Sequence, residues 1–283
     1  MLTGFDHFII FVADLDAALQ TFRRLGFDAR AGGEHPAFGS HNALVALADG
    51  AYIELVAFKN PALAETTFWR DGVRKLRASE GFGGYVLGSS DLARAVAYIR
   101  ARGINATDPN PGSRVRPDGQ RVEWRTSLLS ESPVGALPFL IEDVTPRDLR
   151  IEKPSEGLGS RVRVKEIVVI ANNLAATRDH YRALLDVEPK HVQNKDADVE
   201  GYRFETSWGS LVAAHPTRGG NTMTAQLNAR GEGLFALALG VESWGWERQQ
   251  LKSRGVKIEN EANGFLIAPD EACGARIRII KGG

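Results

Sequence analysis

The sequence predicts an α+β protein built from four βαβββ units in two tandem domains. Three observations lead there. Residues 5–18 (FDHFIIFVADLDAA) and 164–177 (VKEIVVIANNLAAT) share one pattern, an apolar strand followed by a turn and an Ala-rich helix start. The same offset of 159 carries GAYIELV (50–56) onto GSLVAAH (209–215), so two segments repeat at one spacing. A finer repeat then appears inside the large one. Residues 82–104 and 234–258 again give strand, turn, helix and a closing Gly, so units begin near residues 5, 82, 162 and 234.

Each element follows from local chemistry. Runs such as FIIFV and IVVIA are β-branched and strand-like. Asp14, Asp91 and Asn173 stand where a short side-chain oxygen can cap the free N–H groups of a helix's first turn. In LDAALQTFRRLG, Leu15, Ala18, Leu19 and Phe22 fall on one helical face. Gly26, Gly103 and Gly255 end the helices. In the first unit, strands are predicted near 29–32, 42–47 and 52–58. The polar stretch TPRDLRIEKPSEGLGSR (145–161), with two prolines and two glycines, reads as the inter-domain linker. The expected domains are residues 1–148 and 149–283.

Composition narrows the function. A chain of 283 residues suits about two domains. Zero formal net charge gives no general pull toward nucleic acid or an anionic membrane. The cluster Arg114, Arg116, Arg121 and Arg125 reads as a solvated face. One cysteine, Cys273, excludes an intramolecular disulfide framework and a cysteine zinc site, and is compatible with a cytoplasmic location. The apolar run near the N-terminus is expected to be a buried strand, being too short to span a bilayer. No P-loop, GxSxG, HExxH or CxxC motif occurs. His180 and His191 read as surface residues.

DHFIIFV, GGEHPAFGSHNALV and GAYIELV together resemble the vicinal oxygen chelate superfamily, in particular its glyoxalase-like branch. The resemblance to the branch covers about the first 150 residues, and the second half resembles the superfamily by topology. It implies glyoxalase/dioxygenase-like domains in which two units pair and their cupped mixed sheets enclose a cleft. It further implies a divalent metal held by the first and fourth strands of each unit. His7 and Glu54 match two of those positions, as metal ligands or as a catalytic acid–base pair. The metal would be zinc, iron, nickel or manganese, with a metal-free site equally open. Gly84 and Phe139 occupy the other two positions, which argues against the glyoxalase I reaction and against ring cleavage.

His41 and Asn42 at the start of the third strand, Tyr52 beside Glu54, and Phe139 are candidate substrate contacts. Trp124 and Arg125 are adjacent on a strand, so alternation sends one of them into the cleft. His35 is expected in an exposed loop, and it or His41 could assist a metal. In the second domain the four matching positions fall on Glu166, Ala213, Ala236 and Arg278, with Glu166 and Arg278 expected to pair. Two functions stay open: a glyoxalase-like small-molecule enzyme, of lyase or isomerase type on vicinal oxygens, or a metal-free binding protein of the bleomycin-resistance type. The partner is a small molecule, and a homodimer is compatible with either.

Overall fold

The computed structural model describes residues 1–130, 134–195 and 197–282. The first half runs β1 (Leu2–Phe11), α1 (Leu15–Arg24), β2 (Ala29–His35), β3 (Ser40–Ala46) and β4 (Tyr52–Phe58). Two short helices follow, α2 (Pro61–Glu65) and α3 (Arg70–Ala78). The second unit is β5 (Gly81–Ser89), α4 (Leu92–Ala101), β6 (Asn110–Val115), β7 (Arg121–Leu128) and β8 (Phe139–Asp143), ended by α5 (Arg147–Arg150). The second half gives β9 (Arg163–Ile170), α6 (Leu174–Leu185), β10 (Lys190–Asn194), β11 (Val199–Thr206), β12 (Gly209–Pro216) and α7 (Thr222–Arg230). It closes with β13 (Gly233–Val241), α8 (Trp244–Ser253), β14 (Ile258–Glu261), β15 (Gly264–Ile267) and β16 (Arg276–Lys281). The α+β architecture of four βαβββ units is therefore present.

The predicted caps are in place. Asp14 accepts from the Ala17 N–H, Asp91 from Arg94 and Asn173 from Ala176, each at 3.0 Å. Leu15, Ala18, Leu19 and Phe22 are buried as the helical spacing requires.

The two sheets differ. The first closes into a barrel of order β1-β4-β3-β2-β6-β7-β8-β5, while the second stays open as β10-β11-β12-β9-β13-β16-β15-β14. The barrel closes where Glu34 of β2 pairs with Val115 of β6. Gly33 makes that approach possible. Its φ is +142°, and a Cβ there would stand 2.2 Å from the Val115 carbonyl oxygen.

The repeat units of the first half are related by a local two-fold through the β1–β5 ladder. Phe8 pairs with Tyr85 at its centre; Ile9–Gly84 mirrors His7–Val86, and Ile10–Phe82 mirrors Phe5–Leu87. On either side of that centre each strand carries one extra residue, Asp6 on β1 and Gly83 on β5, and β1 has a further one, Thr3, near its start. Glu54 pairs with Ile9, and Phe139 with Val86. The symmetry thus places Gly84 at the counterpart of His7 and Phe139 at that of Glu54.

The halves share one apolar core. Tyr85 and Tyr181, both fully buried, hydrogen-bond through their hydroxyls across it. Lys75 donates to the carbonyls of Arg230 and Glu232 at 2.6 Å each, and Arg230 donates to those of Lys75, Glu80 and Phe82. The expected linker also packs against the first half: α5 inserts its Arg150 there, and the Leu158 N–H donates to the Gly26 carbonyl.

Candidate functional site

A cavity of about 370 Å³ fills the first barrel. The extra residue in β1 explains its polar floor. In a regular strand neighbouring side chains face opposite ways, yet Asp6 and His7 are both buried, at 3% exposure each. The bulge lets Asp6 accept from His7 Nδ1 at 2.7 Å. His7 Nε2 then lies 3.4 Å from Glu54 Oε2, and the imidazole stacks on Tyr52 with ring centroids 4.7 Å apart. Asn42 Nδ2 donates to the other Glu54 oxygen at 2.6 Å. Its own Oδ1 is buried with no partner among the described residues.

Arg150 supports this row from below. It bonds both Asp6 oxygens at 3.0 and 2.8 Å, donates to the Tyr52 hydroxyl at 2.7 Å and pairs with Asp143. Burial alone would raise the Asp6 pKa, but Arg150 and His7 outweigh it and hold the carboxyl well below its ordinary value. Burial pushes the Tyr52 hydroxyl up. His35 also lines the cavity, and burial lowers its pKa. The rest of the lining is largely aromatic: Phe38, Phe68, Trp69, Trp124 and Phe139.

His7, Glu54, Asn42, Tyr52, Trp124 and Phe139 all reach the cavity, as the sequence indicated. His41 and Arg125 do not. His41 is the outward neighbour of Asn42, and the charges around it are those of Lys59, Glu34, Asp16 and Asp14. Arg125 is exposed and pairs with Glu142 at 3.5 Å. Strand alternation sends both to the outer face. His35 is the reverse case, only 8% exposed, because β2 extends through it and the barrel closes over it. Arg114, expected on a solvated face, is 4% exposed and lines the cavity. Asn110, Pro111, Gly112 and Arg114 of β6 all line the cavity, and NPGSRV carries no alternating signal that would have marked the arginine. Asp6 and Arg150 carried no such signal.

The donor set does not fit a resident divalent metal. Two of the four superfamily positions hold Gly84 and Phe139, and a Cβ at the neighbouring Gly83 would stand 2.3 Å from the Phe11 ring. Among the described residues no three His, Cys, Asp or Glu side chains form a ligand group.

In the second sheet, Glu166 and Ala236 stand where expected, and Glu166 pairs with Arg278 at 3.5 Å. Glu166 also accepts from Arg203 at 2.5 Å. The counterpart of Glu54 is Val212 rather than Ala213, because Val168 pairs with Val212 and the β12 register is one residue shorter than the sequence offset.

The model of the glyoxalase-like domain matches residues 5–185, from β1 through α6. The chain belongs to the glyoxalase-like domain family. The first two βαβββ units of this glyoxalase-like protein pair around a cavity. A hypothetical protein from Staphylococcus aureus is similar over 100% of both chains, at 13% identity and a TM-score of 0.69. A triple mutant of 4-hydroxymandelate synthase from Streptomyces coelicolor is similar at 15% identity and a TM-score of 0.67, over 99% of this chain and 92% of that one. These likenesses concern the fold. No curated protein matches the chain in sequence. Among the described residues no helix of this glyoxalase-like protein is long and apolar enough to cross a membrane.

Proposed function

We propose that the first barrel binds a small organic molecule and moves a proton on it, with Glu54 as base and His7 as its acid partner. One observation carries this reading: Glu54, 8% exposed on an apolar strand, faces a cavity and keeps one oxygen 3.4 Å from a histidine that a buried carboxylate orients. A buried carboxylate of this kind needs a partner, and Asp6 fixes which ring nitrogen of His7 faces Glu54. The cavity volume, about 370 Å³, lies within the range of small-ligand sites.

The step is redox-neutral. Glu54 takes a proton from a carbon beside a carbonyl, the C–H electron pair passes to the carbonyl oxygen, and the proton returns to carbon or oxygen through the His7–Glu54 pair. The outcome is isomerase-type chemistry, a proton moved between carbon and oxygen. No part of it runs through a metal.

The second reading is a sequestering protein without turnover. Phe139 in a ligand position and the aromatic lining favour it. One experiment separates the two. The protein is incubated in D2O with a panel of aryl carbonyl compounds that carry a C–H beside the carbonyl, and deuterium uptake is read by mass spectrometry. Uptake that falls at least about 100-fold in Glu54→Gln supports the enzyme. Binding without uptake supports sequestration, and uptake unchanged in that variant removes Glu54 as the base.

A further inference from the structure

Arg114 differs from the other cations of the first barrel. It points inward from β6 and is 4% exposed, as buried as Arg150 at 3%. Arg150 is neutralised by Asp6 and Asp143. Arg114 has no such partner: among the described residues no carboxylate pairs with it. Its Nη1 donates to the Gly32 carbonyl and its Nη2 to the Arg150 carbonyl at 2.5 Å. A guanidinium carries five N–H donors, so three remain. The two carbonyls it holds, on β2 and α5, need only donors, which a neutral side chain could supply. The positive charge is not required by that role; Glu54 acts on it across the cavity without direct contact, and a buried charge lacking a contact counter-ion is costly.

Tyr52 points to the same gap. Its hydroxyl accepts from Arg150 at 2.7 Å, which leaves the phenolic proton without an acceptor among the described residues. Tyr52 and Arg114 line one cavity. The same cavity is lined by Trp69, Trp124 and Phe68.

We propose that the ligand of this barrel is an aryl carboxylate whose anionic group is held by the Arg114 guanidinium and the Tyr52 hydroxyl. The inference rests on reading the barrel as a small-molecule site, and goes beyond it by fixing the charge and shape of the occupant. An arriving carboxylate neutralises Arg114 and accepts the free Tyr52 proton, while its ring lies against the aromatic lining.

The test is calorimetric titration of the full chain with 3-phenylpropanoate and with 3-phenylpropanamide. The acid is expected to bind at least about tenfold more tightly than the amide, as charge-assisted hydrogen bonds in a buried site require. Arg114→Gln should erase that preference, and Arg114→Lys should keep part of it. Tyr52→Phe removes one donor without touching the seam, and should weaken the acid several-fold while leaving the amide unchanged. Equal binding of acid and amide, or a preference that survives in Arg114→Gln, overturns the assignment and leaves the small-molecule reading standing. Binding of neither compound overturns both.

Discussion

Asp6 and His7 are consecutive on β1 and both buried, an arrangement that depends on the bulge between them and β5. The bulge builds a chain of contacts from Arg150 through Asp6 and His7 to Glu54. Asp6→Asn would leave Arg150 short of a counter-charge, so unfolding in urea should show a loss of about 3 kcal/mol or more. The pH dependence has a definite sign. With its folded pKa held well below the ordinary value, Asp6 stabilises the fold fully above about pH 4, and this contribution is lost as the pH falls through the folded value. Asp6→Asn should therefore flatten the acid limb of a Tm–pH curve. Protein purified without chelator should carry metal well below one ion per chain. A stoichiometric ion lost on His7→Ala would contradict the donor-set argument. His7 and Glu54 were legible through the superfamily pattern, Asn42 and Tyr52 through their places on the third and fourth strands, and Trp124 as one of two alternating candidates. Asp6 was not, because the bulge breaks that alternation. Arg150 was not, because its partner Asp6 is 144 residues away in sequence.

At the level of elements, the β2–β6 seam decides whether there is a cavity at all. It consists of the Glu34–Val115 pairing, reinforced by the Arg114 bond to the Gly32 carbonyl. Gly33 is held at φ +142° with the Val115 oxygen where a Cβ would go. Gly33→Ala should cost at least about 1–2 kcal/mol from backbone strain alone, read by urea unfolding, and should weaken binding of aryl ligands. Retained stability and binding would show that the seam is dispensable. The strands themselves were legible, since apolar runs and turn residues bound them. The closure was not, because it rests on a contact between β2 and β6 that no local pattern encodes. The segment 145–161 read as a linker from its prolines and glycines, yet its α5 completes the barrel floor, because one arginine finds the buried Asp6 and the half-buried Asp143 there.

Across the whole molecule, the internal repeat made the architecture legible, and its mismatches pointed to the first half. The unequal closure of the two sheets lay beyond it, as did the tightness of their junction. Lys75 is buried at that junction, its ammonium bonded among the described residues to carbonyls of the second half, and burial brings its pKa down to about 8. The unfolded chain keeps its lysine protonated to about pH 10.4. Stability should consequently rise with pH between about 8 and 10.4, where the folded state has released a proton that the unfolded state still binds. Lys75→Met should remove that rise in thermal melts.

The histidines offer the most direct test of the central claim, that a small molecule is bound in the first barrel against His7 and Glu54. Three lie in the first half, His7, His35 and His41, and three in the second, His180, His191 and His215. Imidazole 15N–1H NMR spectra recorded while 3-phenylpropanoate is added should show His7 and His35 shifting, with His180, His191 and His215 still. Shifts confined to the second-half histidines, or no shift at His7 while the ligand binds, would contradict the account.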